Sequence, residues 1–251
     1  MSDCSGIFGL SFTQMTQDQL AAKVTNDPIA EGAGPLCIYT ANLDHIVNLR
    51  RNSKLRNAYR KAWVVTADGM PVFLYAKMRG VALKERLTGA DLFGHVFNAL
   101  DPAKHRCFFI ASSNETALLL RDRLVARGFD VASIDYDVPP HGFENDAAYS
   151  EKLTWRIRAL GTTHLFLGVG APKSEIWVDE HRDAVGDCYV LNVGAGLDFL
   201  VGTRQRAPRL LQRIGFEWFW RFIHEPRRLF RRYFLDSWSF IAAIRDDILE
   251  R

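Results

Sequence analysis

The chain has 251 residues, of which 48% are hydrophobic and 24% are charged. This composition excludes intrinsic disorder, a collagen repeat and a coiled coil, and the length fits one large α/β domain or two closely packed lobes. The net charge of +3 conceals an imbalance, because residues 204–232 contain nine arginines and only two glutamates. The basic character of the chain therefore belongs to its C-terminal end.

The first ten residues contain no basic segment followed by a long apolar run, so no signal peptide is predicted. No stretch approaches the roughly 20 consecutive apolar residues that a transmembrane helix needs. The four cysteines are far apart and form no CxxC pair. We therefore expect a protein on the cytoplasmic side of the membrane, with reduced core thiols rather than disulfides or a zinc site.

Short β-branched or aromatic runs alternate with amphipathic segments from about residue 36 to residue 200. The pattern predicts strands at residues 36–40, 63–66, 107–111, 130–134, 164–167 and 189–193, with a further strand near 7–12 at one edge. It predicts helices at residues 43–62, 70–78, 91–100, 115–127, 146–160 and 174–183. Such alternation is typical of βαβ units. We expect an α/β fold with a mainly parallel, Rossmann-like sheet and helices on both faces.

The pattern changes after Gly202, where the chain becomes basic and aromatic. Residues 216–240 hold ten aromatic side chains, and Pro226 suits the first turn of a helix that runs to about residue 248. We expect residues 1–202 to form the core, with two closely packed lobes that divide near residue 103. Residues 203–251 are then a helical C-terminal appendage.

Three interpretations of this basic, aromatic appendage stay open. It is a solvated face over core aromatics, a surface for nucleic acid, or an element that lies on a membrane. Arginine binds phosphate groups bidentately, and Trp and Phe favour the headgroup region of a bilayer. Contact with a membrane or a lipid diphosphate is therefore preferred.

Candidate site residues follow the predicted strands, because ligands of parallel sheets bind beyond the carboxyl ends of the strands. Asp68 follows the second predicted strand and precedes Gly69. Its carboxylate can act as a general base toward an alcohol, or it can simply serve a turn or cap the next helix. Thr40 and Asn42, after the first strand, can bind substrate or cap the helix that follows.

The glycine-rich turns at residues 168–172 and 194–196 allow the backbone to approach a pyrophosphate beside a helix N-terminus. Neither completes a GxGxxG motif, and many strand–helix turns contain two glycines for packing alone. Ser112 can likewise hold phosphate or belong to a helix cap. Asp135 and Asp137 form a DxD motif, which can hold a divalent cation but is common by chance. No P-loop or GxSxG motif occurs in the sequence.

Taken together, nine segments of the chain resemble the WecG/TagA/CpsF glycosyltransferases (glycosyltransferase family 26), which build bacterial cell-envelope polysaccharides. The segments occur in the family's order and span about residues 36–235. They begin at Thr40, Thr66, Glu85, His141, Gly168, Gly194, Arg206, Glu217 and Glu225. Nine matches in order are not expected by chance.

The resemblance implies transfer of a sugar from a UDP-sugar to a polyprenyl-diphosphate-linked acceptor, with inversion at the anomeric carbon and no required metal or other cofactor. It makes Asp68 the catalytic base. The substrate-binding residues that it implies are Thr40, Asn42, Arg86, Ser174, Arg221, Arg228 and Arg231. The nucleotide-binding residues that it implies are Ser112, His141, Gly142, Phe143, Gly168, Gly170, Pro172, Lys173, Gly194 and Asp198.

One position departs from the family, since Ser174 stands where a glutamine is usual. A hydroxyl cannot reach as far as an amide, so this contact is lost or the sugar differs. The resemblance further implies a role in exopolysaccharide or envelope synthesis and a peripheral protein on the inner face of the plasma membrane, docked through its C-terminal segment.

Two other functions stay as alternatives. A parallel sheet with GxG turns also suits a soluble Rossmann-type oxidoreductase or epimerase, and an arginine-rich surface suits a non-catalytic interaction module. The glycosyltransferase function is preferred, with no nucleic-acid partner expected. The sequence leaves self-association into a homo-oligomer open.

Overall fold

The computed structural model describes residues 6–213, 217–224 and 236–249. Its strands form one sheet in the order β2-β1-β6-β5-β3-β4, and every neighbouring pair is parallel. The strands are β1 (Leu36–Ala41), β2 (Val64–Ala67), β3 (Cys107–Ile110), β4 (Ile134–Asp137), β5 (His164–Leu167) and β6 (Tyr189–Asn192). The predicted parallel α/β sheet is confirmed.

Helices connect these strands and follow the last of them. They are α1 (Gln17–Asn26), α2 (Leu43–Arg51), α3 (Ser53–Arg60), α4 (Met70–Met78), α5 (Gly89–Ala99), α6 (Asn114–Ala126), α7 (Ala147–Ala159), α8 (Lys173–Glu180), α9 (Arg182–Val185), α10 (Gly196–Val201), α11 (Arg209–Arg213), α12 (Glu217–His224) and α13 (Asp236–Leu249). Side chains of α2, α3, α4, α7, α8, α9 and α13 pack on one face of the sheet, and those of α1, α5, α6 and α10 pack on the other.

The strands are buried on both faces, which explains their continuous apolar sequence runs. In β3, Phe108 and Ile110 join the first core cluster, whereas Cys107 and Phe109 join the second. The alternation follows from the two-residue period of a strand. Helices therefore cover both faces of the sheet, as predicted.

The buried cysteines behave as apolar core residues. Cys37, Cys107 and Cys188 are free and buried, as expected from the sequence. Burial raises the pKa of the Cys107 thiol to about 12 and also raises the pKa values of Cys37 and Cys188. These thiols are therefore protonated at neutral pH and poor nucleophiles.

The fourth strand begins later than predicted. Residues 130–134 were expected to form it, but β4 spans Ile134–Asp137. The Asp130 side chain accepts a hydrogen bond from the Ala132 N–H at 2.9 Å, and a 3₁₀ helix forms over Val131–Ser133 instead. A local side-chain bond thus replaces strand pairing.

The predicted helix at residues 43–62 is also wrong in one respect, because two helices occupy it. The Asn52 N–H donates to the Asn48 carbonyl at the end of α2, and its side-chain oxygen accepts from the Leu55 N–H at the start of α3. One asparagine therefore closes the first helix and caps the second.

The N-terminal segment is not a sheet strand. Ile7 and Leu10 form an isolated antiparallel bridge, with Phe8 and Gly9 at positive φ between them. The segment does reach the sheet, because the Thr13 N–H donates to the Val65 carbonyl of β2 at 2.9 Å. The predicted strand at residues 7–12 is therefore wrong, and it is the following residue that bonds to β2.

The C-terminal helix α13 packs against the core beside α2. Phe240 and Ala243 belong to the first core cluster, while Ile241 is 58% exposed. The part of the predicted helix at residues 226–235 lies outside the described residues. Within the part of the chain that the structure describes, no helix combines the length and the apolar character needed to cross a bilayer.

Candidate active site

The ends of β1 and β2 bring two predicted site residues together. Ala41 lies opposite Ala67 in the parallel pair, so Asn42 and Asp68 follow side by side. The Asp68 N–H donates to the Ala41 carbonyl at 2.9 Å, and Asp68 is half-buried. A side chain at Gly69 would place its Cβ 3.7 Å from the Asn42 Cβ. Asp68 therefore stands at the carboxyl edge of the sheet, as predicted.

The Asp68 carboxylate lies near a buried phenol. Burial raises the pKa of Tyr59 well above its usual value, and the Glu175 and Asp68 carboxylates raise it further. The Tyr59 hydroxyl donates to the Thr40 carbonyl at 3.4 Å. This phenol therefore stays neutral beneath the edge and ties α3 to β1.

Asn42 caps α2, which is one of the two roles predicted for it. Its side-chain oxygen accepts hydrogen bonds from the N–H groups of Asp44 and His45 at 3.0 and 3.2 Å. In return, the Asn42 N–H donates to His45 Nδ1 at 3.3 Å. The cap uses the oxygen of the side-chain amide and leaves its NH₂ group without a hydrogen bond to a described residue.

The loop before α5 passes close over the ends of β1 and β6. A Cβ on Gly89 would lie 3.3 Å from the Thr40 methyl group and 3.4 Å from the Val193 Cα. A Cβ at this position would be crowded, so glycine suits the close approach. The Thr66 hydroxyl donates to the Leu87 carbonyl at 3.1 Å and fixes the loop to β2. Thr40 is consequently buried beneath the loop.

Two arginines attach the C-terminal helices to this edge. Arg86 donates to the Gln212 carbonyl at 3.0 Å. Arg206 forms ion pairs with Asp91 and with Glu217, the latter at 3.4 Å. Burial acts to raise the pKa of Asp91, but the hydrogen bonds from Arg206 and Thr88 and the positive charges of Arg206 and Arg86 together outweigh it, and the pKa is lowered. Arg86 is thus at the edge, with part of its hydrogen-bonding capacity used by α11.

The two glycine-rich turns are in contact. The Gly168 N–H donates to the Ile110 carbonyl at 2.7 Å. A Cβ on Gly168 would lie 2.7 Å from a Leu197 methyl carbon and 3.3 Å from the Gly194 carbonyl oxygen. Gly170 and Gly194 have positive φ values of 84° and 52°. The turns after β5 and β6 therefore form one backbone-lined surface, at the position predicted for a pyrophosphate.

A lysine stands beside this surface. Lys173 is the first residue of α8, directly after Pro172, and its Nζ lies 5.7 Å from the centre of the Phe143 ring. Gly142 has a φ of 84°, and His141 is exposed. The structure thus brings residues 141–143 and the start of α8 together. Lys173 and the N-terminus of α8 supply positive charge at one point of the edge.

Ser112 and Asp198 bind each other. The Ser112 hydroxyl donates to the Asp198 carboxylate at 2.8 Å, and the Thr116 hydroxyl donates to the same oxygen at 2.8 Å. Asp198 is buried and lies 3.8 Å from the Arg204 Nε. The N-cap of α6 is Ser113, whose side chain accepts from the Thr116 N–H. Asp198 thus orients Ser112 and joins α10 to α6.

Ser174 points into the interior rather than toward solvent. Its hydroxyl lies 2.9 Å from a Glu175 carboxylate oxygen and 3.2 Å from the Gly170 carbonyl oxygen. Glu175 is fully buried, which raises its pKa, and its second oxygen lies 3.9 Å from His45 Nε2. The Asn192 amide approaches Glu175 and lowers that pKa slightly, yet completes no hydrogen bond.

This buried polar group, formed by Ser174, Glu175, His45 and Asn192, was not predicted as a unit. It joins the glycine-rich turn after β5 to the N-cap of α2 beside Asp68. The available signals were a polar residue ending the apolar run of β6 and a histidine in the first turn of α2. Neither signal indicates that these residues are in contact in the folded protein.

The DxD motif is occupied by an arginine. Arg156 of α7 donates to Asp135 at 2.8 Å and to Asp137 at 2.7 Å. The carboxylates therefore neutralise a cation of the chain on the edge strand β4. Among the described residues, no group of three or more His, Cys, Asp or Glu side chains is arranged to hold a metal ion.

Three predicted arginines cannot be placed in this geometry. Arg221 belongs to α12, but its side chain is outside the described part of the structure. Arg228 and Arg231 lie outside the described residues altogether.

Comparison with known proteins identifies the family. The model of the glycosyl transferase WecG/TagA/CpsF family matches residues 6–251. Proteins of Staphylococcus aureus strains MW2, NCTC 8325 and MRSA252, each named N-acetylglucosaminyldiphosphoundecaprenol N-acetyl-beta-D-mannosaminyltransferase, are 22% identical over 225 residues. Each match covers 90% of this chain and 86% of the relative. The oxidoreductase and epimerase alternatives are not favoured by these matches. The chain belongs to the WecG/TagA/CpsF family and is a glycosyltransferase.

Proposed function

We propose that this glycosyltransferase moves a sugar from a UDP-sugar to a polyprenyl-diphosphate-linked acceptor, with Asp68 as the general base. The observation that carries the proposal is the position of Asp68. Its carboxyl group follows β2 at the edge where the glycine-rich turns after β5 and β6 meet. The names of the S. aureus relatives, which describe a lipid-diphosphate acceptor, support the choice of acceptor.

The reaction needs a base on one side of the sugar and a cradle for the leaving group on the other. Asp68 takes the proton from the acceptor hydroxyl as its oxygen attacks the anomeric carbon. The bond from that carbon to the UDP oxygen breaks at the same time, and the electron pair leaves with UDP. Attack opposite the leaving group inverts the anomeric centre. General base catalysis of this kind contributes about 10²–10⁴ in rate.

The leaving UDP gains negative charge, which the edge of the sheet can stabilise. Lys173, the N-terminus of α8 and the backbone around Gly170 and Gly194 supply positive charge and N–H donors. Ser112, oriented by Asp198, adds a hydroxyl group at the neighbouring strand end. With this cradle the proposal requires no metal ion.

The donor is proposed to be an N-acetylhexosamine linked to UDP. The S. aureus relatives are named as N-acetylmannosaminyltransferases, which makes UDP-N-acetylmannosamine the first donor to test. The buried hydroxyl of Ser174 contacts Glu175 rather than the open edge. We therefore assign donor choice to Asn42, which stands beside Asp68, and to Arg86 at the same edge.

The acceptor's polyprenyl tail stays in the bilayer, so the enzyme has to work at the membrane surface. The nine arginines and the aromatic residues of the C-terminal segment provide electrostatic and interfacial contacts for peripheral docking. Arg221, Arg228 and Arg231 belong to this part of the proposal, where they meet the diphosphate of the acceptor.

The test compares Asp68→Asn with the wild type. We expect Asp68→Asn to lower kcat at least a hundredfold while the protein still folds and binds UDP, because only the proton acceptor is lost. Asp122→Asn, which removes an exposed charge on α6, is the matched control and should transfer normally. Near-normal turnover by Asp68→Asn would overturn the assignment of the base. NMR of the product should show inversion, and a retained anomeric configuration would refute the single displacement.

A further inference from the structure

A second site lies away from the sheet edge. A groove of about 700 Å³ opens between the N-terminal turn, α2, α3 and α13. We call it the arginine groove, because Arg50, Arg51, Arg56 and Arg60 line it. Since α2 begins at the edge beside Asp68 and a helix rises 1.5 Å per residue, its last turn is about 12 Å from that edge. The groove is therefore separate from the candidate active site.

The two acidic residues of the groove are already engaged. Asp246 pairs with Arg50. Asp247 accepts hydrogen bonds from the Tyr75 hydroxyl at 2.7 Å and from Arg79 at 2.8 Å. Neither carboxylate is left to neutralise the arginines of α3.

The arginines of α3 carry the unbalanced charge. Arg56 donates to the Leu49 and Arg50 carbonyl oxygens at 2.7 and 3.0 Å, and these neutral groups leave its charge in place. Arg60 is exposed and forms no hydrogen bond or ion pair with a described residue. The two lie one helical turn apart, so they share a face of α3. Together they offer a site for an anion with several oxygens.

The floor of the groove is apolar. Phe8, Leu10, Ile46, Leu49 and Ala243 contribute its hydrophobic lining. Leu10, Ile46, Leu49 and Ala243 are buried, and Phe8 is half-buried. A small inorganic anion would contact only the arginines, whereas a molecule with both a phosphate group and a hydrocarbon portion would also contact Phe8. The groove therefore fits an anionic amphiphile better than free phosphate.

The face of α13 that points away from the groove is exposed. Ile241, Arg245 and Ile248 follow at spacings of four and three residues, which puts them on one face of the helix. Ile248 is 55% exposed, and the Arg245 side chain is 71% exposed. Because Ala243, Asp246 and Asp247 line the groove from the opposite face of α13, this stripe is not part of the groove.

We propose that the arginine groove holds the phosphate headgroup of an anionic membrane phospholipid. This inference rests on the proposed membrane acceptor and assigns a docking surface outside residues 204–232. Arg56 and Arg60 would bind the lipid phosphate, and the apolar floor would receive the glycerol and upper acyl carbons. Each arginine near an anionic surface adds about a fivefold gain in affinity.

The experiment uses the full chain and vesicles of phosphatidylcholine with or without phosphatidylglycerol. Arg60→Glu is the test variant, because an exposed side chain with no hydrogen bond or ion pair to a described residue can be changed without unfolding the protein. We expect it to bind the anionic vesicles at least fivefold more weakly than the wild type. Arg60→Lys keeps the charge and should bind normally, as should Arg121→Glu, a charge reversal on α6 at the other face of the sheet.

Three results would overturn the inference. They are equal binding of Arg60→Glu and Arg121→Glu, equal binding of the wild type to neutral and anionic vesicles, and full displacement of the vesicles by soluble glycerol phosphate. Wild-type binding to nucleic acid that is lost in Arg60→Glu, without a preference for anionic vesicles, would reassign the groove. Transfer to a short-chain, water-soluble diphosphate acceptor is measured in parallel. It should be unchanged in Arg60→Glu, and its absence in the wild type would refute the proposed function while leaving the vesicle result valid.

Discussion

The stability of the protein should depend on pH through one buried histidine pair. His164 begins β5, where its Nε2 lies 3.1 Å from the Val24 carbonyl oxygen and its Nδ1 lies 2.8 Å from the Thr163 hydroxyl. The His105 ring packs edge-on against it at 4.7 Å. Burial lowers the pKa of His164 from 6.5 to about 3 and also lowers that of His105.

The direction of the pH dependence follows from how many protons the folded and unfolded states bind. Between pH 6.5 and pH 3 the unfolded chain protonates His164 but the folded chain does not. His164 therefore lowers the free energy of unfolding as the pH falls, by about 1.4 kcal/mol per unit over this range. The full loss approaches about 5 kcal/mol near the pKa of the folded state. This is comparable to the whole stability of many domains, about 5–15 kcal/mol.

Urea unfolding at unit steps from about pH 7.5 to about pH 4.5 measures this slope. His164→Gln carries a neutral amide and should unfold with a slope smaller by about 1.4 kcal/mol per pH unit, even though lost packing lowers its stability at neutral pH. His95→Gln, at an exposed histidine of α5, is the control and should keep the wild-type slope. An unchanged slope in His164→Gln would refute the reasoning.

Three further predictions concern single side chains. Gly168→Ala should lower stability by about 1–3 kcal/mol and weaken UDP binding in calorimetry, because the new methyl group would lie 2.7 Å from a leucine carbon; normal stability and affinity would contradict it. Asp247→Asn removes the charge that binds Arg79 and should cost about 1–3 kcal/mol in urea unfolding, whereas Asp246→Asn, at an exposed pair, should cost less; equal losses would count against it. Arg156→Gln should lower the melting temperature without changing transfer, and lost transfer at normal stability would instead place the DxD motif in the site.

The sheet could be predicted from the sequence because each strand is buried on both faces. Such strands appear as short apolar runs, and β1, β3, β5 and β6 begin at the predicted residues. The carboxyl edge could also be predicted, because the residues that follow parallel strands all lie at the same edge of the sheet. Asp68, Asn42 and the two glycine-rich turns were therefore assigned to one edge before their contacts were known.

The errors arise where a local hydrogen bond or a distant contact decides the structure. Asp130 accepts a hydrogen bond from the Ala132 N–H and delays β4, and Asn52 divides a helix that has no proline or glycine. The spacing of Ile241 predicts a buried residue, but the buried face of α13 is the one with Phe240 and Ala243. These two residues are buried because α2 and Phe8 pack on them. The meeting of Glu175 with His45 joins residues 130 positions apart, which no local pattern encodes.

The ion pair between Arg206 and Asp91 has a mechanical consequence. Asp91 lies in the first turn of α5, two residues after the glycine that touches Thr40, and Arg206 immediately precedes the C-terminal helices. The ion pair between Arg206 and Asp91 thus links those helices to the carboxyl edge of the sheet. Under the proposed function, docking of the C-terminal helices and alignment of the reacting groups are coupled through this ion pair.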